Sequence, residues 1–141
     1  MEKAILAPAA VLVLWTIIML FWLAGTRLPA MKKIGVDLGK AVGGNGAEAD
    51  LAVPPSVAWK SHNYTHLMEQ PTLFYAVVFI LAITGTATPL MVSFAWAYTI
   101  IRIAHSLWQS TINKVSIRFV LFLMSTLCLL VLSVHALIAT I

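Results

Sequence analysis

The sequence predicts an all-α integral membrane protein, a single domain of four transmembrane helices covering residues 1–141. Of the 141 residues, 61% are hydrophobic and only 10% are charged, and the mean hydropathy is +0.95. A soluble domain of this length has too little interior to bury so much apolar surface, so its solvent must be lipid. Four apolar stretches, each near the roughly 20 residues that cross a bilayer, predict a four-helix bundle.

The first helix is expected at residues 4–24, a stretch that carries no charged side chain. Its length matches the roughly 30 Å hydrocarbon core of a bilayer. Residues 25–29 are expected to end the helix, with Arg27 extending toward the interface. Residues 27–55 then form the one long polar loop, which contains a glycine-rich run at residues 43–46.

The second helix, expected at residues 56–84, is polar in its first third and apolar afterwards. Pro71 removes a backbone hydrogen bond and therefore predicts a kink within this helix. His62, His66 and Glu69 have the i, i+4, i+7 spacing that places side chains on one helix face. Ionisable groups at membrane depth usually face the interior of a bundle and a partner, so this stripe predicts a polar site.

The third and fourth helices are expected at residues 89–110 and 115–141. One face of the third helix carries a second polar stripe. Its members are Arg102, His105, Ser106 and Gln109. Arg118 follows in the first turn of the fourth helix. Because a buried unpaired guanidinium is costly, we expect Arg102 to form an ion pair with Glu69 across the second and third helices.

The distribution of basic residues predicts the orientation in the membrane. The long loop, the start of the second helix and the turn before the fourth helix hold Arg27, Lys32, Lys33, Lys40, Lys60 and Lys114. By the positive-inside rule, loop 27–55 lies in the cytoplasm, both termini lie outside, and the polar stripes lie near the cytoplasmic face. The small loops suggest a bacterial inner membrane. The net charge of +4 is thus a topology signal, and nucleic-acid binding is not expected.

The polar motifs and the four spans together resemble the MAPEG superfamily, the membrane-associated proteins in eicosanoid and glutathione metabolism. The motifs are His62-(x)3-His66-x-x-Glu69, then Tyr98-(x)3-Arg102-Ile-Ala-His105-Ser106, then Arg118 after a short basic turn. The resemblance covers most of the chain and suggests a divergent bacterial-type member. It implies a homotrimer of four-helix bundles, with sites between neighbouring protomers at the cytoplasmic side.

The resemblance also implies roles for individual residues. Catalytic members typically carry an arginine, an asparagine four residues later and then a glutamate; here His62, His66 and Glu69 hold those places. Phe119 follows Arg118, where the family's prostaglandin synthase has a serine. By resemblance, Arg102 and Arg118 are the catalytic residues that stabilise the thiolate of glutathione. The implied glutathione-binding residues are His62, His66, Glu69 and His105.

Three interpretations of the stripe formed by His62, His66 and Glu69 stay open at this point. The first is a hydrogen-bonded polar seam that bridges to Arg102 and His105 and fixes the register of the helices. The second is a glutathione site altered in detail, in which neutral imidazole lacks the fixed charge of an arginine. The third is a metal site, because two histidines and a carboxylate form a common ligand set.

We adopt the second interpretation as the working hypothesis for function. It predicts a glutathione- or thiol-dependent transferase or peroxidase, with glutathione as cofactor, acting on a lipophilic small molecule that arrives through membrane lipid. The alternative from another class is a non-catalytic lipid-binding or assembly subunit of a larger membrane complex, for which the family's lipoxygenase-activating member is a precedent. A second alternative is a membrane protein that binds metal through histidine and glutamate.

Overall fold

A computed structural model describes residues 2–141, and within this range it contains helices and no strand. The helices are α1 (Glu2–Lys33), α2 (Gly46–Ala52), α3 (Pro55–Leu67), α4 (Gln70–Ile83), α5 (Pro89–Thr111) and α6 (Val115–Ile138). Four segments of the described chain are long and apolar enough to cross a membrane: α1, α3 with α4, α5, and α6. The predicted all-α fold with four membrane-spanning helices is confirmed.

One face of α1 forms a seam through the bundle. Ile5, Leu12 and Met19 recur every seven residues and are each 0% exposed. A seven-residue spacing keeps side chains on one side of a helix, so this seam packs continuously against α3, α4 and α5. On the opposite side Phe21 is 72% exposed, as expected of a side chain whose solvent is lipid.

The centre of the core is an aromatic pair between α4 and α5. The rings of Phe74 and Tyr98 stack with their centroids 4.2 Å apart, and both side chains are fully buried. The Tyr98 hydroxyl donates to Gln70 Oε1 at 3.3 Å, and Gln70 Nε2 donates to Thr126 Oγ1 at 2.9 Å. This chain of contacts joins α5 to α6 through the first residue of α4 and satisfies the polar end of a buried tyrosine.

The first helix is longer than the sequence predicted. It continues past residue 24, through Gly25 and Pro29, and ends at Lys33. Glycine and proline are weaker helix breakers in membrane helices than in soluble ones, because neighbouring groups can satisfy the freed backbone atoms. Arg27 therefore projects from a helix. It forms an ion pair with Asp50 and also donates a hydrogen bond to the Gly46 carbonyl.

The second span is two helices, and the expectation of a single kinked helix was wrong in detail. The chain leaves helical geometry at Met68 and Glu69, just before Pro71 in the first turn of α4. Proline has no N–H to donate to the carbonyl four residues earlier, and its ring crowds that carbonyl. The affected carbonyl belongs to Leu67, the last residue of α3, so the break precedes the proline that causes it.

A buried hydroxyl ties three helices together. Ser106 Oγ on α5 accepts a hydrogen bond from Trp15 Nε1 on α1 at 2.9 Å and another from Asn63 Nδ2 on α3 at 2.8 Å. Ser106 and Asn63 are both 0% exposed. A buried N–H group without an acceptor is costly, and these two N–H groups share this one acceptor.

The Ser106→Ala variant tests this junction. We expect it to lower the free energy of unfolding by about 1–2 kcal/mol, because two buried donors lose their shared acceptor. The measurement is denaturant-induced unfolding of the protein in mixed micelles. Ser93→Ala on the same helix is the matched control, since Ser93 is exposed and donates only to the Pro89 carbonyl of its own helix. Equal stability of the two variants would contradict the junction.

Candidate functional site

Arg102 on α5 is the residue around which the polar site is built. It is the largest fully buried side chain within residues 2–141. Its Nη1 donates to His66 Nε2 at 3.3 Å, and its Nη2 donates to the His66 carbonyl at 3.2 Å. The carbonyls in the last turn of a helix lack intrahelical partners, and His66 lies in the last turn of α3. The break after Leu67 therefore provides the acceptor that Arg102 uses.

His66 connects the buried arginine to an exposed carboxylate. Its Nδ1 lies 2.9 Å from Oε2 of Glu69, whose side chain is 61% exposed. A guanidinium can only donate, so the Nε2 atom that faces Arg102 must be the acceptor nitrogen. The proton of the neutral ring is then on Nδ1, where it is donated to Glu69. His66 is thus a fixed-tautomer bridge between Glu69 and Arg102.

A cleft of about 230 Å³ opens beside this bridge, between α3, α5 and α6. The His66 and His105 rings lie side by side with centroids 5.0 Å apart, and the Phe122 ring is 5.6 Å from His66. The remaining wall comes from α6. The six lining residues are His66, His105, Val115, Arg118, Phe119 and Phe122. The wall from α3 and α5 is therefore polar, and the wall from α6 is apolar except for Arg118.

Arg118 is held at the cleft by the turn between α5 and α6. Its Nη1 donates to Asn113 Oδ1 at 2.6 Å, and Asn113 adopts a left-handed backbone conformation with φ of 57°. Asparagine tolerates this conformation better than most residues, and its backbone N–H also closes α5 by donating to the Trp108 carbonyl. The Arg118 Nε atom is buried and has no partner among the described residues.

The site has an excess of positive charge. Neither Arg102 nor Arg118 has a carboxylate within ion-pair distance in residues 2–141; their acceptors are a histidine and an asparagine. The one carboxylate at the site belongs to Glu69, and it is bonded to His66. A buried cation without a carboxylate partner is costly in a membrane protein, so the arrangement favours binding of an anion.

The family of the chain is decided by a sequence comparison. The model of the MAPEG family matches residues 5–138, nearly the whole chain. The chain belongs to the MAPEG family. Searches of curated proteins and of solved structures gave no match.

Five of the six predicted site residues of this MAPEG protein lie together. His66, His105 and Arg118 line the cleft, Arg102 lies behind His66, and Glu69 is bonded to the outer nitrogen of His66. The predicted ion pair between Arg102 and Glu69 was wrong, because no such pair forms within residues 2–141 and His66 stands between the two side chains. Their roles in catalysis and in glutathione binding stay predictions.

His62 does not join the other site residues. Its side chain is 53% exposed, and its Nε2 lies 3.6 Å from Asp50 Oδ2 on the loop helix α2. The predicted common stripe assumed one helix through residue 69, whereas α3 ends at Leu67. His62 and Glu69 are consequently separated by the break, and His62 contacts the polar loop instead.

The set His62, His66 and Glu69 is also not assembled as a metal site. Within residues 2–141, no group of three or more histidine, cysteine, aspartate or glutamate side chains is arranged to hold a metal ion. Each of the two histidines instead faces a different carboxylate: His62 lies 3.6 Å from Asp50, and His66 is hydrogen-bonded to Glu69. The geometry does not support the metal interpretation.

Several functional neighbours were missed by sequence reasoning. Asn63 and Trp15 hold Ser106 next to His105, Asn113 holds Arg118, and Asp50 holds both Arg27 and His62. A signal existed for Asn63, which lies in the polar first third of the second span between His62 and His66. No local signal marked Asn113, because a polar residue in a turn is ordinary.

The hydrogen bonds of His66 predict its tautomer. We expect a neutral ring protonated on Nδ1, because Arg102 can only donate to Nε2. The measurement is nitrogen NMR of protein with ¹⁵N-labelled histidine in lipid, with His66→Gln to assign the signal among the four histidines. Glu69→Gln is the control, since its amide oxygen still accepts from Nδ1. A proton on Nε2 would show that the bridge is not formed.

Proposed function

We propose that this MAPEG-family protein is a thiol-dependent transferase or peroxidase that takes glutathione and a lipophilic electrophile, and that it works as a homotrimer. The observation that carries the proposal is a cleft lined by Arg118 and by apolar side chains of α6, with Arg102 directly behind its His66 wall and no carboxylate paired with either arginine. Glutathione is an anion with a reactive thiol, and its acceptors in this family are hydrophobic. The cation and the apolar side chains of the cleft suit these two substrates.

Arg118 is the residue proposed to contact the sulfur. It lines the cleft and has a buried Nε–H group that no described residue accepts. A cation beside a thiol lowers the pKa of that thiol and thereby raises the fraction of the nucleophilic thiolate. The thiolate then forms a carbon–sulfur bond with the electrophile, either by displacing a leaving group or by adding to an activated double bond that then takes up a proton. With a hydroperoxide it breaks the O–O bond to give an alcohol and a sulfenic acid, which a second thiol converts into the disulfide and water.

Arg102 and Glu69 are proposed to position the peptide part of glutathione. Arg102 supplies positive potential from behind the wall formed by His66, and Glu69 offers an exposed carboxylate to the substrate's amino group. His105 adds a polar surface to the cleft. His66 uses both ring nitrogens within the protein, so we assign it a positioning role in place of the direct cofactor contact expected from the sequence.

The acceptor is proposed to reach the cleft from the bilayer past α6. Phe119 is 63% exposed at the edge of the cleft, on a helix that is among the most apolar of the chain. Such an aromatic side chain beside a polar site is well placed to be covered by a neighbouring protomer, which supports the proposed trimer. On the positive-inside rule, we propose that this end of the bundle faces the cytoplasm.

A second candidate is a non-catalytic lipid-binding protein of the same fold. One observation favours it: Phe119 occupies the place where a catalytic relative has a serine that assists the thiol. In this case the apolar wall would hold a lipid and the basic wall its headgroup. The binding experiment that follows separates the two candidates.

The Arg118→Ala variant tests the proposed thiolate site. We expect wild-type protein in detergent to bind glutathione in the micromolar to millimolar range, and the variant to bind it about 10–100-fold more weakly, because a charge-assisted contact is lost. Calorimetry gives the affinity, and the ultraviolet absorbance of the thiolate reports the ionised sulfur. Lys114→Ala is the control, because it removes one positive charge from the adjacent turn outside the cleft.

Two outcomes would contradict the transferase proposal. One is the absence of glutathione binding to protein that is folded and monodisperse. The other is binding without thiolate absorbance and without turnover of a lipophilic electrophile, which would leave the lipid-binding candidate.

The Phe119→Ala variant tests the apolar wall. We expect the KM for the lipophilic acceptor to rise about tenfold, because an aromatic contact is removed, while the affinity for glutathione stays unchanged. Steady-state kinetics with both substrates varied is the measurement. The control is Phe79→Ala on α4, whose side chain is 60% exposed and lies outside the cleft. A similar rise in the control would mean that Phe119 acts only through general packing.

A further inference from the structure

The end of α1 carries positive charge that the protein does not neutralise. Lys32 and Lys33 are exposed in its last turn, and neither has an ion-pair partner within residues 2–141. The other cations of this region are paired: Arg27 with Asp50, and Lys40 with Asp37 at 3.8 Å. Two adjacent lysines thus remain available to an external anion.

The depth of these lysines is set by the length of the uncharged part of α1. Residues 4–26 carry no charge and, at about 1.5 Å per residue, extend roughly 34 Å, close to the thickness of a hydrocarbon core. Arg27 then marks the boundary of the core. Lys32 and Lys33 lie about 8–9 Å further along the helix, which is the level of the phospholipid headgroups.

Apolar side chains surround the lysines at this level. After α1 the chain turns back, and Ile34, Leu38 and Val42 are 49%, 51% and 98% exposed on this non-helical segment. The segment and the end of α1 enclose a groove of about 770 Å³. Its lining includes Leu28, Pro29, Lys32, Val36, Asp37 and Leu38.

We propose that this groove, the α1-end groove, binds an anionic phospholipid, with the headgroup phosphate at Lys32, which lines the groove, and at the exposed Lys33 next to it. The glycerol and first acyl carbons lie against Leu28 and Leu38. Juxtamembrane lysines attract anionic headgroups, and the exposed apolar side chains beside them match the acyl side of the same molecule. The Asp37 carboxylate does not oppose this charge directly, because it accepts from the Gly39 N–H at 3.0 Å and faces Lys40. The site is separate from the cleft at Arg118 and does not depend on the proposed catalysis.

The test is native mass spectrometry of the protein in detergent, titrated with phosphatidylglycerol and, separately, with phosphatidylcholine. Wild-type protein is expected to retain phosphatidylglycerol preferentially, and Lys32→Ala/Lys33→Ala to bind it roughly 30-fold more weakly, about fivefold for each lysine. Phosphatidylcholine retention should not change. The control, Lys60→Ala/Lys114→Ala, removes the same charge from the same end of the bundle and should retain wild-type affinity.

Two further measurements separate the lipid from other occupants. Soluble glycerol phosphate should not displace the bound lipid, and Leu38→Ser should weaken phosphatidylglycerol binding without changing the charge. The proposal is overturned if both lysine variants bind alike, or if glycerol phosphate competes at equal strength. It is also overturned if the loss of lipid is accompanied by a change in the number of protomers in the same spectra, since the groove would then be a contact between copies of the chain.

Discussion

The burial of the Arg102 guanidinium is the constraint on which the rest of the site depends. A cation inside an apolar bundle needs acceptors for its N–H groups, and here one histidine, rather than a carboxylate, accepts from Nη1 and Nη2, while the buried Nε has no partner among the described residues. The histidine must therefore be a neutral acceptor toward the arginine and a donor toward Glu69. The break that Pro71 causes after Leu67, the bond to Glu69 and the packing of His105 and Phe122 on the imidazole ring together hold His66 in this orientation.

The burial of Arg102 also bears on why a basic side chain and apolar side chains line the same cleft. Burial of Arg102 against α3 leaves Arg118 as the cation that faces outward from α6, and its own acceptor comes from the turn that begins that helix. The cleft is consequently bounded by a basic corner and by phenylalanines from a helix that otherwise contacts lipid. In the proposed function, a polar thiol and a molecule dissolved in the membrane each reach this boundary from their own solvent.

The fold could be predicted from the sequence because lipid imposes simple rules. Apolar length fixed the number of spans, and the spacing of polar residues on the third helix correctly grouped Arg102 with His105 and Ser106 on buried positions. The errors came from places where two rules compete. Pro71 was expected to bend a helix that it interrupts two to three residues earlier, and Pro29 was expected to lie beyond a helix that continues through it. The predicted grouping of His62 with Glu69 failed for a related reason, because it assumed a helical periodicity that the break removes. His62 faces Asp50 instead, and Asp50 lies on a short helix that the neighbouring glycine-rich stretch did not predict.

The bond from Arg102 to the His66 carbonyl makes half of the arginine's anchorage independent of which amino acid occupies position 66. Every amino acid has a main-chain carbonyl oxygen, so a substitution at position 66 changes the side-chain hydrogen bonds but keeps this acceptor for Arg102. A residue at position 66 without an acceptor in its side chain therefore removes the bond to Nη1 and leaves the bond to Nη2 in place.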